Sequence, residues 1–455
     1  MAKHLNLSRI ISLIVLSLWG GVKDYGQRAQ AVKTTHFVNG YWFDGRRFVS
    51  TDFYAVNGLL VHSQPGQVDE TVDLSGGYVV PPFGDAHEHN FDSVENTPAM
   101  VQTYLKDGVF YAQGMTDVTT GSSQVVKAGM VNTPASVNVT YAHGCLTGVK
   151  GHPHEVYEQF ALGFYSFPLT AEQQTKIAAS TIRLGDAYWE VSTLAQLDEI
   201  WPKVLAAKPD LIKIILVNSE DFSTQDTKNP PLGKGLNPAL IAPIVRRAHA
   251  AGLKVAAHVD TATDFHNALI GGVDEMAHLP GYYVPADQSP SRFRISDEDV
   301  VGAARRKIKV IATAGIAVTE QTDAEQRQRV QAVEVDNLSR LKKAGVPILV
   351  GSDWYGSDSV HEIGYLYDLK MWSNAQLLTM YAVTTPRDIF PKKKIGELKA
   401  GYEASFLVLR RNPLKDWAAI GEIRDRWKEG VHLPEPPSTN HQAEGEQRVE
   451  DVSSS

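Results

Sequence analysis

One cysteine, Cys145, stands in a chain of 455 residues, which excludes any intrachain disulfide. The fold therefore has to be held by its core, and a chain of this length can bury enough surface to do so. Nothing marks Cys145 as an activated nucleophile, so a small buried residue is the expected role. Positive charge is also scarce. Lys and Arg number 44 against 52 Asp and Glu, for a net charge of −8. No basic field exists to meet phosphates, which argues against a nucleic-acid partner and favours a small-molecule substrate. Long apolar runs are missing as well. The one candidate, "IISLIVLSLW" from Ile10 to Trp19, falls short of the roughly 20 residues a membrane span needs. Lys3, His4 and Arg9 precede it and Ala29-Gln30-Ala31 follows, the layout of an export signal cleaved after Ala31. The expectation is a protein that is periplasmic or secreted, with no stable membrane insertion once residues 1–31 are removed.

What is present falls into three textures. From residue 32 to 78 short apolar and aromatic runs are separated by Asn39-Gly40, Asp44-Gly45 and Asn57-Gly58, each a hairpin signal. A similar texture returns over residues 392–430, notably in "GELKAGYEASFLVLRRNP". Two such pieces at opposite ends can pair into one small β domain. Between them, over 79–391, apolar runs alternate with amphipathic stretches. The runs are Tyr78–Pro81, Gly108–Val118, Ser136–Tyr141, Leu211–Val217, Lys254–His258, Val273–Ala277, Lys309–Ala312 and Pro347–Val350. "NPALIAPIVRRAHAAG" and "VQAVEVDNLSRLKKAG" read as helices stopped by Gly252 and Gly345. The stretch from Cys145 to Asp210 is too long for one crossover and should carry extra helices. About eight strands alternating with helices give α/β class, a (β/α)8 TIM-like barrel with a small β-sandwich built from the N- and C-terminal segments. Residues 431–455, rich in Pro, Ser and Glu, read as a disordered tail.

In such a barrel the chemistry sits where strands end. The first strand ends in His87-Glu88-His89, the fourth carries Lys213, the fifth ends at His258, the sixth at His278 and the eighth at Asp353. Side chains two apart on an extended segment point the same way, so His87 and His89 can grip one ion while Glu88 points elsewhere. His-x-His alone is a weak signal, and His258, His278 and Asp353 at other strand ends strengthen it. Lys213 sits in an apolar strand, where burial and cationic neighbours lower an amine's pKa and free it to add carbon dioxide. A carbamate made that way could bridge two ions; a lysine snorkelling towards Asn218 and Glu220 is the plainer alternative.

Taken together, "GDAHEH", "DLIKI", "AAHVD", "EMAH" and "VGSDW", closed by "GELKAGYEASFLVLRRNPLKD", resemble the amidohydrolase superfamily. Within it the set is similar to the imidazolonepropionase-like and Xaa-Pro dipeptidase-like branch with a carboxylated lysine. The resemblance spans about residues 35–430. In the closing segment Ser405 stands where the family pattern has Asp, and Phe406 replaces an aliphatic residue. The resemblance implies that His87, His89 and Asp353 hold one divalent metal ion and His258 and His278 a second. Lys213 as a carbamate, and a hydroxide, would bridge the two, with Asp353 as the catalytic proton acceptor. Zinc is the default ion for such a nitrogen and oxygen set, with manganese, iron or cobalt as alternatives. The expected reaction is hydrolysis of an amide-type C–N bond, in a peptide-like, N-acyl or cyclic amide. The rival readings are an ester or phosphoester hydrolase on the same two-metal site, and a non-catalytic binding protein.

"TGVKGHPHE" resembles the family's T-x-x-G-G-H loop, with Lys150 in place of a glycine; His152 keeps the histidine and is a candidate substrate contact. Tyr355, just beyond Asp353, is a candidate pocket wall. His154 and His361 are expected to be exposed loop residues, and His249 and His266 to be surface or packing residues on helices. A homo-oligomer is compatible with all of this.

Overall fold

The computed structural model describes residues 33–165, 168–224, 232–321 and 323–435. The export signal read in residues 1–31, and the tail beyond residue 435, lie outside the described residues. Among those described, no helix is long and apolar enough to cross a membrane.

The two terminal pieces do meet in one sheet. Strands Thr35–Phe43, Phe48–Val56, Leu59–Val61, Glu70–Asp73 and Tyr78–Val80 come from the front of the chain. Phe406–Leu409, Ile423–Lys428 and Val431–Leu433 come from the back, so pairing runs past residue 430, where the sequence suggests the tail begins. The two halves join where Val79 pairs antiparallel with Val408. Their shared core is aromatic: Phe37 packs edge-on against Phe406 and Trp427, with ring centroids 4.9 and 4.7 Å away. The turn signals divide. Asn57 and Gly58 both take positive φ, 51° and 77°, as a tight hairpin requires. Asn39-Gly40 instead makes a bulge inside the first strand, where the register shifts between Phe37 and Gly40.

The middle of the chain is α/β with parallel sheets. We number its eight principal strands β1 (Phe83–Glu88), β2 (Val109–Gly114), β3 (Asn138–Tyr141), β4 (Leu211–Leu216), β5 (Lys254–Val259), β6 (Glu275–Met276), β7 (Lys309–Ile311) and β8 (Ile348–Leu349). β1 to β3 form one parallel sheet, and β4 to β8 run in order through another. Backbone bonds cross both seams. Asp210 N donates to Tyr141 O at 2.7 Å between β3 and β4, and Ala86 N donates to Val350 O at 2.8 Å between β1 and β8. Strands covered on both faces need no alternation, and β1, β2 and β4 are buried throughout. The first apolar run, Tyr78–Pro81, belongs to the terminal sheet, and β1 starts only after Pro81-Pro82. Between Cys145 and Asp210 lie helices His154–Ala161, Ala171–Ala179 and Leu194–Ala206, plus two short strands, Cys145–Thr147 and Tyr188–Glu190, that extend the second sheet.

Buried cations rivet the two parts, Lys428 foremost. Lys428, fully buried on a strand of the terminal sheet, donates to Thr133 O at 2.7 Å, to Ser136 O, and to Asn138 Oδ1 at 2.9 Å, all at the entry to β3. Burial lowers its pKa to about 8. Truncation would leave those acceptors without a donor. Lys428→Ala should therefore cost about 3 kcal/mol, read as a lowered midpoint in denaturant unfolding at pH 7.

Candidate metal centre and active site

The β1–β8 seam builds the centre. Gly351 approaches β1 so closely that a Cβ there would lie 2.5 Å from Ile311 Cγ2 and 2.8 Å from His87 Cβ. This approach lets Asp353 N donate to His87 O at 2.7 Å. Asp353 takes φ of +52°, a left-handed conformation uncommon outside glycine, and it aims the carboxylate at β1. Its Oδ1 lies 3.2 Å from His87 Nε2 and 3.0 Å from His89 Nε2. The ligand atoms of His87, His89 and Asp353 all lie within 4.8 Å of one another.

His87 and His89 are aimed from behind. His87 Nδ1 bonds Ala277 O at 2.9 Å, and His89 Nδ1 bonds Thr116 O at 3.1 Å. That leaves both Nε2 atoms facing Asp353. His278 Nδ1 bonds the Thr313 hydroxyl at 2.9 Å, and Thr313 itself sits at φ +43°, a strained position for a β-branched residue. The rings form an arc. His87 and His278 centroids are 4.7 Å apart, His278 and His258 4.4 Å, His258 and His152 4.9 Å. His258 Nε2 pairs with Asp260 Oδ1 at 2.9 Å, and His152 Nδ1 with Glu155 Oε1 at 2.6 Å.

Electrostatics separate the groups. Burial opposes charge on Asp353, yet His87, His89 and Lys213 together hold its carboxyl far below the usual range, so it is an anion. Lys213, 2% exposed on β4, has its pKa pushed down to about 8 by burial, with Asp353 the chief opposing influence. At neutral pH roughly a tenth of such an amine is unprotonated, enough to react with carbon dioxide. His278 and His87 are held neutral by burial, the form that donates a lone pair to a metal. Burial lowers His258 too, against the pull of Asp260. Cys145 is buried, and burial raises its thiol to about 12, which removes it as a nucleophile.

The structure thus brings His87, His89 and Asp353 together, with His278 Nδ1 3.6 Å from Asp353 Oδ2 and the buried Lys213 interacting electrostatically with Asp353, and His258 and His152 continue the arc of rings. Tyr355 stacks on His89 at 5.3 Å. Glu88 stays apart: its Oε2 accepts from Asn90 N. Two readings of the outlying histidines are corrected. His154 is 1% exposed, not a loop residue: it opens helix His154–Ala161 and bonds Ile177 O and the Tyr188 hydroxyl. His361 is half-buried on helix Val360–Asp368 with its ring against Trp354, so it is neither exposed nor in a loop. His249 and His266 are exposed helix residues, each paired with an aspartate.

Several supporting residues escaped the sequence reading. Asp85 lies beneath the centre, accepting from Ser352 N at 2.9 Å, His87 N at 3.2 Å and the Tyr104 hydroxyl at 3.0 Å. Burial raises it to about 6. Asn90 holds the loop after β8 through Trp354 O, Ser357 O and Gly356 N. Their only sequence signal was proximity to His87 and His89, because the partners that tie them to the loop after β8 lie more than 260 residues away.

The amidohydrolase family profile matches residues 78–431. The chain belongs to the amidohydrolase family. Amidohydrolases are hydrolases of C–N bonds, and a divalent-metal site is typical of the family. Solved structures repeat the fold at low identity. A crystal structure of an amidohydrolase is 18% identical, covering 88% of this chain and 98% of that one, with a TM-score of 0.65. The A. niger ochratoxinase is 15% identical over 89% and 96% of the two chains, TM-score 0.66. A Xaa-Pro dipeptidase with methionine in its active site is 15% identical over 88% and 99%, TM-score 0.67. No curated protein sequence matches the chain. Neighbours with this amidohydrolase fold imply a TIM-like barrel carrying a β-sandwich domain.

One carboxyl behind the amidohydrolase centre yields a pH prediction. Glu362 is buried, and its Oε2 accepts from Gly315 N, two residues past Thr313. Burial raises its pKa from 4.5 to about 7. The folded state then holds this proton more tightly than the unfolded chain, so its stabilising share is complete below pH 4.5 and lost as pH rises through 7. Over that window wild-type stability should fall with pH by up to about 3 kcal/mol from this group. Glu362→Gln keeps an acceptor for Gly315 and should flatten the slope, measured by denaturant unfolding at pH 5 and pH 7.

Proposed function

We propose that the protein is an exported, metal-dependent amidohydrolase cleaving an amide-type C–N bond, with peptide-like or N-acyl amides first and cyclic amides second. The eight parallel strands are read as a closed (β/α)8 barrel, supported by the backbone bonds across both seams. The observation carrying the functional reading is the convergence of His87, His89 and Asp353 beside the buried amine of Lys213.

The donor set fits divalent metal ions. Imidazole nitrogens, an anionic carboxylate and a buried lysine with a depressed pKa are what a nitrogen and oxygen site needs. His87, His89 and Asp353 would hold one ion, His258 and His278 a second, and Lys213, as a carbamate, would reach both. When bound, the ions supply acidification of a water molecule and polarisation of the scissile carbonyl. The chain's own residues do the rest. Asp353, anionic and fixed by His87 and His89, takes a proton from the attacking water and passes it to the leaving amine nitrogen. Thr116, Ala277 and Thr313 keep the imidazoles in one orientation throughout. His152, its pKa carried upward by Glu155 against the effect of burial, faces the arc as a donor to substrate oxygen. The same donor set suits zinc first, then manganese, iron or cobalt.

Purified protein should carry close to two divalent ions per chain by elemental analysis. Lys213→Ala should lose metal and cut turnover of matched N-acyl amides by at least about a thousandfold, the scale of a removed catalytic group. A Lys213→Ala variant that retains both ions and full activity contradicts the bridging role. Ester or phosphotriester turnover exceeding that of matched amides contradicts the amide assignment.

A further inference from the structure

Among the described residues, four tyrosines are both large and well exposed: Tyr41, Tyr165, Tyr283 and Tyr355. Tyr41 stacks on Tyr78 in the terminal sheet. Of the other three, Tyr165 lies just past helix His154–Ala161 in the connection from β3 to β4, and Tyr283 and Tyr355 stand on the loops that follow β6 and β8. Exposed aromatic surface gathered on one face marks a place where something apolar binds.

Two of those three are linked into a continuous ladder. Tyr355, 45% exposed, stacks on His89 at 5.3 Å and 21°. Phe160, at the end of helix His154–Ala161, meets Tyr355 edge-on at 6.1 Å. Tyr165, 72% exposed, stacks on Phe160 at 6.2 Å and 20°. The ladder runs from solvent to an imidazole that touches Asp353. Its polar tips are already occupied. The Tyr165 hydroxyl donates to Phe160 O at 3.4 Å, and the Tyr355 hydroxyl is engaged by Tyr157. Tyr157 in turn bonds Thr116, which supports His89, so the Tyr355 ring is fixed relative to the centre. What the ladder itself offers a ligand is ring faces and edges, its own side chains being uncharged.

We infer that this ladder is the substrate's specificity subsite, and that it takes an aromatic or comparably planar, uncharged group on one side of the scissile amide. The inference rests on the hydrolase reading of the centre. Each aromatic pair formed adds modestly to binding, so two or three together give about tenfold discrimination over a methyl group.

The test uses the full-length metal-loaded protein with N-acetylglycine, N-benzoylglycine, N-acetylphenylalanine and N-(2-naphthoyl)glycine. At least one aromatic compound should exceed N-acetylglycine in kcat/KM by about tenfold. Phe160→Ala and Tyr165→Ala should each lower that ratio by about threefold or more, mainly through KM. A wild-type ratio near one, or a ratio untouched by both variants, overturns the subsite. If no amide is turned over, the hydrolase reading fails while the subsite is still decided, by calorimetric binding of the same compounds. Tighter binding of an aromatic compound, weakened in both variants, supports it, and equal binding of all four overturns it. Should Tyr165→Ala change only the mass of the particle in solution, the ladder is a contact between copies of the chain and the inference is wrong.

Discussion

The carboxylate of Asp353, held between His87 and His89, is the constraint on which the site depends. It exists because β8 is brought against β1 at a glycine, where no side chain could be accommodated between Gly351 and His87. The left-handed turn at Asp353 then points the carboxylate inward, and the backbone bond from Asp353 N to His87 O locks the two strand ends together. The same contact that joins the first parallel strand to the last also assembles the anion and its imidazoles. Folding and site formation are one event here.

Around this point the protein uses neutral polar groups for orientation and burial for tuning. Ala277 O and Thr116 O engage the ring nitrogens of His87 and His89 that face away from the centre, and the Thr313 hydroxyl fixes His278 through Nδ1, the nitrogen 3.6 Å from Asp353 Oδ2. Burial holds His87 and His278 well below the usual imidazole range and depresses Lys213, while the neighbouring His87, His89 and Lys213 keep the Asp353 carboxyl ionised against burial. Low polarity and opposed charges thus hold a base and its neighbours in the protonation states that metal binding demands. The strained backbone at Asp353 and Thr313 is borne by a surround of buried parallel strands.

Much of this was readable from local pattern. Strands buried on both faces appear as unbroken apolar runs, and glycine-stopped amphipathic stretches appear as helices, so the α/β alternation was legible. The pairing of terminal β pieces was legible too, because both carry the same short-run texture. What failed had long-range causes. Asn39-Gly40 has hairpin chemistry, yet Thr35–Phe43 continues through it as a bulge because its neighbours Phe48–Val56 and Tyr78–Val80 pair on both sides. His154 follows a proline in a polar loop sequence, yet Tyr188 and Ile177, distant in the chain, enclose it. Asp85 and Asn90 gave no signal beyond their nearness to His87 and His89, because the partners that tie them to the loop after β8 come from the far end of the chain. Phe160 and Tyr165 gave none because the ladder forms only when the end of helix His154–Ala161 meets Tyr355, distant in the chain on the loop after β8.

The central claim is that the strand ends gather two ions around a modified lysine. The most direct measurement is a crystal structure of metal-loaded protein with anomalous diffraction at the metal edge. The account predicts two anomalous peaks, one contacted by His87, His89 and Asp353 and the other by His258 and His278, with extra density extending from Lys213 Nζ to both. A single peak, peaks away from these side chains, or an unmodified Lys213 between two occupied positions would contradict it.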